Sequence, residues 1–180
     1  VLAQASDLRF ALAMAPLTKG RMKGIIGCAA QLPIQNAAQY ERMDKWQRFF
    51  NWNARYAPKM LPFLVKAAFS LAQRTGKDRV LRLVHGRSSA DMQAFNNRDV
   101  QRAIMVGTDV CLSQDHFAHE AFSLELIDHE VNWIDTLRDC PVAIELFQGD
   151  QDPQSPLETV NEITKGMDHI QLRVLENCGQ

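Results

Sequence analysis

The 180-residue chain is 46% hydrophobic and 23% charged, enough apolar material for one domain with a sizeable core. Its formal net charge of -1 leaves no electrostatic footprint for nucleic acid, so no direct nucleic-acid contact is expected. Its apolar runs, such as Val142 to Leu146, are far too short to cross a bilayer, and the first residues lack the zones of a secretory signal. The expectation is therefore a cytoplasmic chain with no membrane contact.

Leu2, Ala5, Leu8, Leu12 and Ala15 recur at helical spacing until Pro16 and Gly20 end the pattern, which predicts a helix over residues 1–15. Because the chain begins inside this pattern without an initiator Met, it is expected to be part of something longer. Arg21 to Ala30 comes next with a compact apolar core, Ile25 to Ala30, of strand length and bounded by Gly24 and Pro33.

From Asn36 to Leu137 the periodicity is helical. Tyr40, Met43, Trp46 and Phe50 mark one face. Leu61, Leu64, Val65, Ala68 and Leu71 mark a second, entered through Pro58. Val100, Ile104 and Leu112 suggest a third helix, and Phe117, Ala121, Leu124 and Ile127 a fourth. The aromatic stripe of Trp46, Phe49, Phe50, Trp52 and Phe63 reads as core packing, with the lining of an apolar ligand pocket as the alternative.

The last forty residues read as strand, acidic turn, helix and strand. Val142 to Phe147 suits a strand buried in a parallel sheet, and Gly149 and Pro153 punctuate the loop beyond it. Asp150 and Asp152 fall in that loop at the strand's carboxyl end, where open α/β sheets place their ligand and catalytic groups. A helix from about Pro156 is predicted, with Ser155 as N-cap, and then a strand over Ile170 to Leu175.

Several clusters could carry chemistry. A carboxylate in the Gly149-Asp150-Gln151-Asp152 turn could orient an imidazole in a hydrolytic triad; the alternative is a plain polar turn. Gly86-Arg87-Ser88-Ser89-Ala90 imitates a nucleophile elbow but lacks the final Gly, and Ser88 with Asp91 reads better as a helix cap. His116, His119, Glu120, Glu125 and His129 have helical spacing but no matching second cluster, so a solvated helix face is expected and metal ligands are not. His169 precedes the last strand, at the wrong end of the sheet for a base, and reads as a surface residue. Cys28, Cys111, Cys140 and Cys178 lie far apart without a C-x-x-C pair and read as reduced, buried thiols. No cofactor and no metal are expected.

With these pieces in order, the chain resembles the α/β-hydrolase family. Val1 to Ala15 resembles the helix after that family's nucleophile elbow, and Arg21-Met-Lys-Gly-Ile-Ile-Gly-Cys-Ala its next strand. Residues 36–138 are similar to its inserted helical cap, and Cys140-Pro-Val-Ala-Ile-Glu-Leu-Phe-Gln-Gly-Asp-Gln-Asp-Pro to the strand that ends in Gly-x-x-Asp. The resemblance makes Asp152 the triad acid. It also puts Gln180, at the end of Leu175-Glu-Asn-Cys-Gly-Gln180, where the catalytic histidine belongs. An amide has no titratable nitrogen with which to take a serine's proton. The Gly-x-Ser-x-Gly motif is absent, and by this match would fall just before Val1.

The resemblance implies a partial α/β-hydrolase fold with about three parallel strands and a large cap, organised as 1–35, 36–138 and 139–180. It is similar to hydrolase-like domains fused to helix-turn-helix transcription regulators, which implies binding or sensing of a small apolar ligand or ester. The competing expectation is an active ester hydrolase whose nucleophile lies upstream. An open sheet edge would seek a partner, either a second copy or a missing N-terminal segment.

Overall fold

The computed structural model describes residues 1–76, 79, 89–111 and 118–179. Two compact units emerge: Val1–Asp44 together with Val131–Gln180, and Lys45–Glu130. The second unit is shorter at both ends than the 36–138 insertion read from the sequence.

The first unit holds β1 (Leu2–Gln4), α1 (Leu8–Met14), β2 (Gly24–Cys28) and α2 (Ala37–Arg42). The second holds α3 (Lys45–Tyr56), α4 (Leu61–Thr75), α5 (Ser89–Phe95), α6 (Arg98–Cys111) and α7 (Ala118–His129). The chain returns to the first unit with α8 (Ile134–Arg138), β3 (Ala143–Gly149), α9 (Leu157–Thr164) and β4 (Ile170–Leu175).

The four strands form one all-parallel sheet in the order β1-β2-β3-β4. Three are the strands expected from sequence. The fourth, β1, corrects the reading of residues 1–15 as a helix: the first three residues after Val1 are extended, and α1 begins only at Leu8. Leu8, Ala11, Leu12 and Ala15 keep their helical burial, whereas Leu2 is 73% exposed beside buried Ala3, the alternation of a strand.

Strand β3 also alternates. Ile144, Leu146 and Gln148 are buried, while Glu145 and Phe147 are half-buried and Ala143 is exposed. One face of the sheet is packed. Leu8 and Leu12 of α1, Ile25 of β2, Leu137 of α8, Ile144 and Leu146 of β3 and Val160 of α9 are each 1% exposed or less and form one cluster. Burying a side chain of this kind stabilises the fold by about 1.5–3 kcal/mol. Gly27 permits the approach, since a Cβ there would stand 2.7 Å from Leu146 Cδ2. On the other face Arg173 Nε meets Glu145 Oε1 at 2.8 Å.

In the second unit α3 and α4 close on α7 through Ala54, Leu61, Val65 and Leu126, with Phe50, Phe69 and Ile127 packed around them. The face predicted from Tyr40 to Phe50 is broken, because Met43 is extended (φ -72, ψ 157) and ends α2. Nor is the aromatic stripe core. Trp46, Phe49, Trp52 and Phe63 are all exposed, leaving Phe50 as the member that packs inward. Leu112 and Phe117, expected helix anchors, lie outside the described residues, as do Gly86 to Ser88 of the elbow-like segment.

Candidate functional site

Because the strands are parallel, the loops after all four leave from one edge of the sheet, where ligands bind in open α/β folds. The loop after β3 carries Asp152, which is 4% exposed. Its Oδ1 accepts from the backbone N–H of Gln154 at 2.8 Å and of Ser155 at 3.2 Å. Its Oδ2 accepts from Gln148 Nε2 at 2.8 Å, and the same Nε2 donates to the Ser155 carbonyl at 2.9 Å. Gln148 points inward at 1% exposure because β3 has period two and 148 falls on the Ile144 and Leu146 face. The expected Ser155 cap is not made: Pro156 holds the N-cap position of α9, without a side-chain capping bond. Ser155 instead serves Asp152 and Gln148 through its backbone.

Asp150 takes a different part. Its Oδ1 accepts from Cys178 N at 3.3 Å, its own N–H donates to the Leu175 carbonyl, and Gln151 N donates to Cys178 O at 2.9 Å. These bonds draw the segment after β4 across the end of β3. It passes so close to Gly149 that a Cβ there would lie 2.2 Å from Gly179 O and 2.4 Å from Cys178 O. Gln180, the residue at the expected histidine position, lies outside the described residues.

The loop after β1 was missed by sequence reasoning. Gln4 is extended, Ala5 has φ 47, a single 3-10 turn covers Ala5–Asp7, and α1 comes at once. A left-handed backbone costs a non-glycine residue of order 1–3 kcal/mol and persists only where its surroundings enforce it. A sharp strand-to-helix turn of this kind lifts one side chain above the sheet. Hydrogen bonds join it to Asp152. Ala5 O accepts from Gln31 N at 3.2 Å, Gln31 Nε2 reaches Gln154 Oε1 at 3.4 Å, and Gln154 N donates to Asp152. The available signal was Ala5 itself, the central residue of Ala3-Gln4-Ala5-Ser6-Asp7, hidden because two apolar residues ahead of α1 happen to keep helical spacing.

The other sequence candidates fall elsewhere. His169 is not a plain surface residue, for its Nε2 lies 3.0 Å from the Leu137 carbonyl. His119 and Glu120 stand 4.0 Å apart on α7, His129 is buried, and His116 lies outside the described residues. Among the described residues no group of three or more His, Cys, Asp or Glu side chains is placed to hold a metal. Cys140 is buried, Cys28 and Cys178 are half-buried, and all three are free thiols.

A second polar cluster ties α2 to α9. Glu162 Oε2 receives Arg42 Nη1 at 2.7 Å, while Oε1 receives Asn36 Nδ2 and Gln39 Nε2, each at 3.1 Å. Asn36, Gln39 and Glu162 border a cavity of about 340 Å³ shared with Gln35, Arg138 and Lys165. The Arg42 hydrogen bond, then that of Asn36, holds the Glu162 carboxyl below its ordinary value, and the same contact raises Arg42. A lowered carboxyl stabilises the fold fully above its unfolded value near 4.5, and that contribution is lost as pH falls through the lower folded value. Glu162→Gln is accordingly expected to unfold earlier than wild type at pH 7, with the gap closing as both are acidified below pH 4.5; thermal melts across pH 2–7 read this.

No family model and no curated protein matches the chain. Solved structures do. An α/β-hydrolase enzyme, MGS-M2, from a Medee basin deep-sea metagenome library aligns with 99% of this chain and 56% of its own, at TM-score 0.63 and 11% identity. A bromoperoxidase from Bacillus anthracis aligns over 99% and 59%, at TM-score 0.58 and 10% identity. A thermophilic esterase from Thermogutta terrifontis aligns over 99% and 57%, at TM-score 0.53 and 16% identity. The chain therefore has the α/β-hydrolase fold, with a parallel sheet of four strands, and spans less than two thirds of these structures' length. At such identities the likeness is one of fold.

Proposed function

We propose that this is a catalytically incomplete α/β-hydrolase-like domain whose carboxyl-edge site binds a small apolar ligand or ester, as the sensing part of a transcription regulator. The observation that carries the reading is Ala5. It occupies the strained turn between β1 and α1, and Ala3-Gln4-Ala5-Ser6-Asp7 stands where Gly-x-Ser-x-Gly is expected. A methyl group cannot attack a carbonyl. This also moves the elbow from upstream of Val1 to residues 3–7. Asp152 then holds the place of the triad acid and Gln180 that of the base, so in this reading two of three members are lost. The edge strand β1, with Leu2 exposed, is a further surface for a second copy or another segment to pair with.

A short-chain p-nitrophenyl ester panel tests it. The wild-type protein is expected to run at the buffer rate, and the Ala5→Ser, Gln180→His double variant at least about a hundredfold above it, the low end of general-base assistance. Wild-type turnover that collapses in Asp152→Asn would overturn the reading in favour of an active ester hydrolase.

A further inference from the structure

From Lys45 to Thr75 the chain carries six cations, Lys45, Arg48, Arg55, Lys59, Lys66 and Arg74, and no Asp or Glu. In a chain of net charge -1 this is a local excess of one sign. It coincides with α3, α4 and the turn between them. On α3 Phe50 and Ala54 pack into the cluster with α4 and α7, and Asn51 and Asn53 are buried as well. Trp46, Phe49, Trp52 and Tyr56 recur at steps of three, three and four on the opposite side and are 53%, 43%, 51% and 62% exposed. Trp46 meets Phe49 edge-on at 6.4 Å and Trp52 lies 5.2 Å from Tyr56, so the rings cover one another along the helix and not a core. Past the turn Met60 at 56% and Phe63 at 70% are further exposed apolar side chains.

Helical spacing sets Lys45, Arg48 and Arg55 along the same exposed side as Trp52 and Tyr56. A basic helix with Trp, Tyr and Phe on its free side has the composition of an interfacial helix: the rings enter the headgroup layer, and the cations meet anionic lipid. No helix among the described residues is long and apolar enough to cross a membrane, and a surface-lying helix needs no such length. Two features argue for lipid over other occupants. A second copy docked face to face would set the cations of this helix against others of the same sign. A row of exposed rings on a helix about 18 Å long also suits a laterally fluid surface, which needs no matching groove.

We propose that the α3 face docks on an anionic lipid surface, which departs from the expectation of no membrane contact drawn from the short apolar runs. The proposal is independent of what the sheet-edge site binds.

Tryptophan fluorescence tests it directly. Trp133 packs against the core of the first unit, so a Trp133→Phe background leaves Trp46 and Trp52 as the reporters. Vesicles of mixed phosphatidylglycerol and phosphatidylcholine are expected to shift the emission to the blue and to pull the protein down on sedimentation; pure phosphatidylcholine is expected to do neither. Lys45→Gln and Lys59→Gln should each lower partitioning about fivefold, and raised salt should lower it further. Phe49→Ser with Tyr56→Ser, at exposed positions, should abolish it while far-UV dichroism stays unchanged. No partitioning onto the anionic vesicles overturns the proposal. So does partitioning that ignores the Phe49 and Tyr56 changes, or a vesicle-free dimer in which Trp46 and Trp52 are already shielded from acrylamide.

Discussion

Replacing Gly149 by alanine is expected to release the segment after β4 from the sheet edge. The new Cβ would lie 2.2 Å from Gly179 O, 2.4 Å from Cys178 O and 2.8 Å from Cys178 C, all backbone atoms with no rotamer to change. Something must move, and magnitudes decide what. Strand β3 is hydrogen-bonded to β2 on one side and β4 on the other, over the length of both registers. The crossing segment is held by Gln151 N to Cys178 O and Cys178 N to Asp150 Oδ1, and at its join to β4 by Asp150 N to Leu175 O, three bonds in all. At about 0.5–1.5 kcal/mol each they amount to roughly 3 kcal/mol, less than distorting a central strand, so the segment yields. The expected signature is faster hydrogen exchange at the Gln151 amide, on the order of a hundredfold, while amides within β2 and β3 keep their protection. Equal loss of protection across the sheet would mean that β3 had bent instead.

That outcome bears on function, since the segment ends one residue before Gln180. If Gly149→Ala also weakens stabilisation by a bound ester, the terminal segment forms part of the ligand's enclosure.

The elements legible in the sequence were those with local patterns of sufficient length. Strands β2 and β3 were visible as short apolar runs punctuated by Gly and Pro, and β4 as an alternating run that falls on the predicted Ile170–Leu175. Asp152 was legible through Gly-x-x-Asp at a strand's end. Strand β1 was not, because three residues hold too few positions to tell period two from 3.6 when Leu2 and Ala5 chance to continue the spacing of α1. Missing β1 meant missing the Ala5 turn, which in the proposed reading stands at the elbow position expected ahead of Val1.

Other parts of the site have no local signature at all. Gln148 binding Asp152 depends on which way a strand residue points, and Gln39 binding Glu162 joins residues 123 positions apart. The aromatic stripe shows the reverse limit. Trp46, Phe49 and Trp52 carry the spacing of a buried face, yet one helix has two sides, and Phe50 with Ala54 took the inner one.

Replacing Asp152 by alanine is expected to cost about 4 kcal/mol of stability, read by urea unfolding. The change removes the acceptor for three donors, Gln148 Nε2 and the N–H groups of Gln154 and Ser155, and hydrogen bonds to a charged group contribute about 1.5–3 kcal/mol each. Gln148 keeps its bond to Ser155 O, and Gln154 can turn toward water, so the sum is not fully realised. Asp152→Asn separates the contributions. One amide oxygen can still accept from Gln154 and Ser155, but its NH₂ then faces the Gln148 NH₂. Gln148 cannot rotate its amide to suit, because that would set its oxygen against the Ser155 carbonyl. The expected cost is about 1–2 kcal/mol, and Gln148→Leu in the Asp152→Asn background should recover part of it, a coupling a double-mutant cycle measures. This pattern distinguishes two uses of one carboxylate. An acid that orients a catalytic imidazole shows its loss chiefly in turnover, by roughly 10⁴-fold when the carboxylate becomes an amide. In the reading proposed for this chain the carboxylate that shapes the loop has no imidazole to serve, so the effect of Asp152→Asn should fall on unfolding and on ligand-induced stabilisation, with ester hydrolysis at the buffer rate before and after the change.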